Sequence, residues 1–376
     1  MTRESPSRLR PAHKPLFLLT TLWAAVGVPL WLAVQSGLLA PPPAMPPTLW
    51  HAHEMIFGFA GAAMAGFLVA RAEPRALVLL VGSWLLARLA PWTAATPAPI
   101  LLLPFPALLV YGVSPAFLAD PKRPVNLVFG LVPVALLVLE AVVVLGLLRD
   151  EPARVAGAVW SGLALVALLL ATMGGRLLRA ATAGEVQRAG RRFRADLGTG
   201  PELALVALLG FALFALFDDT TRPAAGTALL FAGALTLVRL WRWRAREAWA
   251  VAEVRGLHLG YLGLGLGLVL WGTSELGAGP PPADAVHLLT IGGLGTLVFT
   301  VIARTACQRG GLGFAAARPV ARFAPLLALA ALLRLLVPVS GTPASALPTA
   351  ATLAWSLAFG LLLVRLVRWP GDRARM

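Results

Sequence analysis

Long apolar segments recur along the whole chain and constrain its fold more than any other feature. We identify twelve segments of membrane-spanning length, at residues 16–39, 51–71, 76–93, 97–119, 124–148, 154–179, 201–217, 223–244, 255–275, 283–305, 319–340 and 348–369. Backbone in lipid has to satisfy its own hydrogen bonds, so each segment is predicted to be a helix. Only 13% of the residues are charged, about half of the share that is usual in soluble domains. The predicted fold class is therefore an all-α, polytopic membrane helix bundle.

The distribution of basic residues predicts the orientation of these helices. If the N-terminus is cytoplasmic, 27 of the 32 Lys and Arg residues fall in cytoplasmic segments. Arg149, Arg154 and Arg222 then face outward, while Arg88 and Arg334 lie within spans near their outer ends. Because Lys and Arg collect in cytoplasmic loops, the pattern predicts about twelve transmembrane helices with cytoplasmic N- and C-termini. The net charge of +15 is then a property of the loops and does not indicate a nucleic-acid partner.

The predicted spans leave only short connections. We expect a single integral membrane domain over residues 1–376, with a cytoplasmic tail at 1–15 and a basic cytoplasmic loop at 180–200. Such a loop is typical of a segment that contacts anionic lipid headgroups. Cys307 is the one cysteine, so the chain has no CxxC motif for a metal or for covalent haem attachment.

Four of the five histidines lie in or at the predicted spans, where ionisable side chains need partners. His51 and His53 begin the second span, next to Glu54. His287 lies near the outer end of the tenth span, and His258 lies about one turn inside the ninth span from the cytoplasmic side. On a helix, His51 and His53 differ by about 200° and point in nearly opposite directions.

The second span combines imidazole and thioether groups. His51, Glu54 and Met55 are at positions i, i+3 and i+4, which share a helix face. An imidazole with a thioether suits copper, and imidazole alone suits haem iron. We therefore predict His51, His53, His287 and Met55 as metal ligands, with Glu54 as a hydrogen-bonding or proton-handling neighbour. The alternative is a set of interfacial histidines that bond to neighbouring helices.

Three further features each have two interpretations. Glycines around His258 and in the tenth span favour either close helix packing or space for a flat macrocycle beside a ligand histidine. Arg176 is either an arginine that reaches the cytoplasmic face or a cation for a haem propionate. Glu140 is a lone carboxylate in the fifth span and either relays protons or pairs with an arginine. The sequence leaves these alternatives open.

Four stretches of the chain resemble the NnrS family. They are HAHEMIFGF at 51–59, MGGR at 173–176, LHLGY at 257–261 and HLLTIGGLGTLVFTVIAR at 287–304. The resemblance implies a bacterial inner-membrane protein with haem and copper, linked to nitric oxide metabolism, denitrification and resistance to nitrosative stress. The haem would be b-type, with the cofactor-binding positions His51, His53, His258, His287 and Arg176, and with Glu54 beside them. Two stretches depart from the family pattern: LLRAAT follows MGGR, and TACQRGG, which lacks an expected histidine, follows the tenth span.

Three functions compete at this point. The first is a haem- and copper-containing membrane protein of nitric oxide defence. The second is a proton-coupled secondary transporter in which Glu54, Glu140 and the histidines move protons. The third is a membrane scaffold without a cofactor. No hydrolase, phosphate-loop or dinucleotide motif occurs in its required context, so the sequence assigns no enzyme activity.

Overall fold

Long helices make up the described part of the chain, which is residues 9–93, 98–119, 124–193, 198–243, 248–338 and 346–368 of a computed structural model. In chain order the α-helices are α1 (His13–Gln35), α2 (Pro47–His53), α3 (Gly61–Leu68), α4 (Pro74–Leu89), α5 (Pro104–Leu118), α6 (Pro124–Leu148), α7 (Pro152–Leu169), α8 (Gly175–Arg188), α9 (Gly200–Ala215), α10 (Arg222–Arg242), α11 (Ala252–Glu275), α12 (Pro282–His287), α13 (Thr296–Arg309), α14 (Arg318–Ala321), α15 (Pro325–Leu336) and α16 (Ala346–Val367). A short antiparallel strand pair, β1 (Arg10–Pro11) and β2 (Arg71–Ala72), joins the start of α1 to the chain after α3. Many of these helices begin at proline, which lacks the backbone donor that a first turn leaves unpaired.

The described residues form a multi-pass helical membrane protein. Nine of their helices are long and apolar enough to cross a membrane, and a tenth span results if Phe314–Ala321 and Pro325–Leu336, bent by 41°, are counted together. The other two predicted spans also lie on helices. One is the continuous helix at 47–68, whose first turns are polar, and the other is the short helix α9. The count of twelve and the cytoplasmic position of both termini remain predictions.

The helix of the sixth predicted span extends beyond its predicted end at residue 179. It starts at Pro152 and continues to Arg188 over 37 residues, so part of the predicted basic cytoplasmic segment at 180–200 is helical. That is about 55 Å of helix against a hydrocarbon core of about 30 Å. Hydropathy marks the edge of the membrane rather than the end of a helix. The helix ends after Arg188 because Gly190, with φ +70°, adopts a left-handed backbone conformation that does not continue it. Residues 194–197 of the predicted loop and residues 1–8 of the predicted tail lie outside the described residues.

Three of the long helices widen into π-helical segments. They are π1 (Glu54–Ala60) between α2 and α3, π2 (Leu170–Gly174) between α7 and α8, and π3 (Leu288–Gly295) between α12 and α13. A π turn takes carbonyl groups out of the α-helical register. The Gly58 carbonyl in π1 accepts a hydrogen bond from Trp84 Nε1 at 3.0 Å. The Ala171 carbonyl in π2 accepts hydrogen bonds from Arg239 at 3.1 Å and Tyr261 at 3.0 Å. Side chains from other helices therefore hold two of the widened turns.

The glycines of α11 serve close helix packing. A methyl group on Gly263 would overlap the backbone of Gly292 in π3, and a methyl group on Gly267 would overlap the backbone of Leu289. The backbones of α11 and π3 are therefore in direct contact, as in other small-residue helix interfaces. The contact supports the packing interpretation of these two glycines, and a macrocycle beside His258 stays a proposal.

Candidate functional site

Four ionisable side chains from different helices meet inside the bundle. We call them the buried quartet: His53 of α2, Glu54 of π1, Arg88 of α4 and Glu140 of α6. His53 Nε2 is 2.8 Å from Glu140 Oε1, and His53 Nδ1 is 3.6 Å from Glu54 Oε1. Arg88 Nη1 lies 3.0 Å from Glu54 Oε2. No side chain of the quartet is more than 5% exposed.

The quartet is balanced in charge and enclosed by apolar surfaces. Two carboxylates face one guanidinium and one imidazole, so ionisation of all four groups gives no net charge. Such pairing is what keeps buried charges tolerable away from water. Phe57 stacks on His53 with ring centroids 4.9 Å apart, and Arg88 lies over the Trp84 ring at 5.5 Å. A side chain at Gly58 would overlap Arg88 Nη1, so this glycine makes room for the guanidinium.

One of these contacts differs from what the spacing indicated. Glu54 was expected on the face of His51 and Met55, but it lies beside His53 and binds Arg88. The π-helix begins at Glu54, so angles calculated for an α-helix no longer apply there. For Glu140 the sequence left two alternatives open, and in the structure its hydrogen-bond partner is His53. The sequence reasoning missed Arg88, although an arginine in an apolar span is itself a signal.

A second group of polar side chains lies at the predicted outer end of the bundle. His51 stacks on Trp31 of α1 with ring centroids 4.8 Å apart and an angle of 13° between the planes. His287, at the end of α12, lies within electrostatic range of His51 and of Arg334. Arg334 in turn binds Asp284 with 2.9 Å between Nη1 and Oδ1. We call His51 and His287 the histidine pair.

The histidine pair differs from the quartet in its accessibility. Both histidines are partly exposed, whereas His53 is fully buried. Within the part of the chain that the structure describes, the His51 ring makes no hydrogen bond, and His287 Nδ1 is buried without a hydrogen-bond partner. A buried imidazole nitrogen without a partner is unusual in proteins and is available to bind a metal ion. The pair therefore has the donor chemistry of a metal site.

The structure divides the predicted metal ligands. Met55 lies against Gly27 of α1, the helix on which His51 also stacks, so His51 and Met55 face the same neighbour. His53 points the other way, toward α6, as its spacing from His51 predicted. Among the described residues, no three His, Cys, Asp or Glu side chains are arranged to hold a metal ion. Any metal at the pair would therefore rely on His51, His287 and a non-acidic third group such as Met55.

His258 lies apart from both groups. Its Nε2 is 3.0 Å from Thr182 Oγ1, and that hydroxyl donates its own hydrogen to the Leu178 carbonyl at 2.8 Å. The imidazole must therefore donate through Nε2. The flanking Gly256 and Gly260 leave room for side chains of α13, as close helix packing requires. His258 is a buried packing residue in this structure, and its role as a cofactor ligand stays a proposal.

Arg176 makes an ion pair on the protein itself. Its Nε donates to Glu202 Oε1 of α9 at 2.7 Å, and its guanidinium lies over the ring of Phe129 at 5.3 Å. The side chain is about one third exposed. A role beside a haem propionate stays a proposal.

The fold and the site define a multi-pass helical membrane protein in which ionisable side chains from separate helices meet inside the bundle. The sequence model of the NnrS family, described as NnrS protein, matches residues 8–370. The chain belongs to the NnrS family, as the four sequence motifs indicated. No curated protein matches the chain.

Proposed function

We propose that this protein acts in the response to nitric oxide, as a metal-containing protein of the bacterial inner membrane. Membership of the NnrS family supports the role in nitric oxide metabolism and resistance to nitrosative stress. The observation that supports a metal centre is the buried, unpartnered Nδ1 of His287, which lies within electrostatic range of His51 although the two residues are more than 200 positions apart.

The donor set fits copper well. Two imidazoles and the Met55 thioether are the soft and borderline ligands that copper prefers, above all in its reduced form. A b-type haem bound to one of the imidazoles is the second candidate, because histidine is a common haem ligand. The glycine faces of α11 and π3 are not its slot, since backbone fills them. Bound copper or haem iron would supply a coordination position for nitric oxide.

The remaining residues would hold this centre in place. Trp31 fixes one face of the His51 ring, and the ion pair of Asp284 with Arg334 fixes the helix turn before His287. The buried quartet anchors the helix of His51 on its opposite side, through His53 and Glu54. Positioning by such surrounding contacts is what sets the geometry of metal ligands.

Purification in detergent, metal analysis and an absorption spectrum test the proposal. We expect bound copper or a haem Soret band in the wild type, with loss of most of the metal in His51→Ala and His287→Ala. His13→Ala is the matched control, because His13 has no assigned role, and it should retain the metal. Equal metal content in all four proteins, or none in any, would refute a centre at the histidine pair.

The function itself needs a cellular assay. Cells that carry the wild type should survive a nitric oxide donor better than cells without it, and His287→Ala should lose that protection at equal protein levels. If protection persists in both histidine variants, the nitric oxide response does not depend on the proposed centre.

The bond of His53 with Glu140 favours one other function. A buried carboxylate and imidazole in a membrane are typical of proton-coupled transporters. Glu140→Gln keeps the size of the side chain and removes its charge. If the protein lacks metal and shows pH-driven uptake of a substrate that Glu140→Gln abolishes, the transporter interpretation is correct. A protein with neither property would be a scaffold.

A further inference from the structure

A partly open apolar cavity lies between five long helices. Its volume is about 90 Å³. The lining side chains are aliphatic, aromatic or methionine, and glycines complete the wall. Cavities lined in this way stay dry and bind small apolar molecules; an engineered one of about 150 Å³ binds benzene or xenon.

All three π-helical segments reach this cavity. Ile56 and Ala60 of π1, Met173 and Gly174 of π2, and Leu294 of π3 line it. Single π turns inside long helices occur frequently at functional sites, where they displace side chains and backbone from a regular packing. Three of them around one space are a second observation, independent of the volume, that this space is built into the fold.

The cavity ends beside the buried quartet. Leu136 of α6 lines both the cavity and a smaller polar pocket that contains Arg88 and Glu140. Leu136 precedes Glu140 by one helical turn, and Ile56 follows His53 by three residues. A molecule in the cavity would therefore be separated from the quartet by the Leu136 side chain.

We propose that this cavity is a binding site for a small apolar molecule of the size of a dissolved gas. Its volume is below that of the engineered benzene-binding cavity, so it accommodates only a smaller molecule. Its apolar wall offers no partner for water or for an ion. Nitric oxide is one molecule of this class, and only its naming rests on the proposed function.

Xenon tests the site without reference to nitric oxide. The full-length protein in lipid nanodiscs should show saturable xenon binding by ¹²⁹Xe NMR. In Gly174→Ala the new methyl would stand 3.5 Å from Leu297 Cδ1, an ordinary contact, so the variant should fold and reduce the cavity. We expect xenon affinity to fall about fourfold or more, the factor that corresponds to one methyl-sized contact. Gly360→Ala, at a helical glycine with open space around it, is the control and should bind like the wild type.

A variant with a larger cavity gives the complementary result. Leu136→Ala removes the side chain between the cavity and the polar pocket, so it should admit benzene, which the wild type should exclude. The absence of saturable xenon binding in the wild type would overturn the inference, and so would equal binding in wild type and Gly174→Ala. Binding that appears only after delipidation would overturn it in favour of a lipid acyl chain.

The xenon and metal experiments fail independently. If the protein binds xenon but carries no metal and gives no protection, the cavity site is supported and nitric oxide is refuted as its ligand. If the protein protects cells but binds no xenon, the proposed function is supported and the cavity site is refuted.

Discussion

The ion pair between Arg88 and Glu54 should be among the most sensitive contacts in the protein. Their atoms are 3.0 Å apart, and the side chains are only 5% and 1% exposed. At that separation the attraction is about 5.5 kcal/mol for an effective dielectric constant of 20. Arg88→Met keeps an apolar stem of similar shape but leaves Glu54 buried without its cation. Breaking a buried pair in this way costs about 3–5 kcal/mol of the free energy of unfolding.

The surface pair of Arg154 with Glu151 is the matched control. Its atoms are 2.6 Å apart, but the two side chains are 37% and 39% exposed, so water and salt screen the attraction. Arg154→Met should change the free energy of unfolding by no more than about 1 kcal/mol. The comparison isolates burial, because the chemistry of the two arginine substitutions is the same.

A rescue variant separates the lost charge from the lost packing. Arg88→Met combined with Glu54→Gln removes both charges of the pair, so it should recover much of the stability that the single variant loses. Reversible unfolding in mixed micelles of detergent and sodium dodecyl sulfate measures all of these variants. A loss below about 1 kcal/mol in Arg88→Met, or a double variant no more stable than the single one, would refute the electrostatic account.

The remaining predictions concern helix packing and buried hydrogen bonds, and the same unfolding measurement checks them. Gly263→Ala should cost about 1–3 kcal/mol because its methyl overlaps backbone, whereas Gly210→Ala, with open space around it, should cost nothing or stabilise the helix by about 0.5–1 kcal/mol. Equal effects at the two positions would contradict the contact between α11 and π3. Thr182→Val should lower the free energy of unfolding by about 1–3 kcal/mol because it leaves the buried His258 N–H without an acceptor. Thr182→Ser keeps the hydroxyl and should not lower it. An unchanged His258 side-chain NMR signal in the valine variant would contradict the hydrogen bond between Thr182 and His258. Gly58→Ala should destabilise the protein although it alters no charge, because it displaces the guanidinium of the buried quartet; a protein as stable as wild type would show that this guanidinium is not held there.

One feature of the site followed from local spacing, and the rest depended on partners far along the chain. The opposite directions of His51 and His53 were predictable, because both lie in the regular helix α2. The position of Glu54 was not, because the α-helical angles end where π1 begins. The bond between His53 and Glu140 joins residues 87 positions apart, and no periodicity in either helix indicates it. A choice between the two interpretations of the glycines near His258 also required the structure, because the sequence does not show which atoms lie next to each glycine.

The sequence by itself determined that this chain is a multi-pass helical membrane protein of the NnrS family. Hydropathy and motif patterns are local properties, and the bilayer makes the helix nearly obligatory for them. The tertiary structure decided which ionisable groups neutralise one another, where the three π segments meet, and that an apolar cavity lies between them. Those features depend on the packing of helices from distant parts of the chain, where a rotation of one helix by a single residue would exchange every partner.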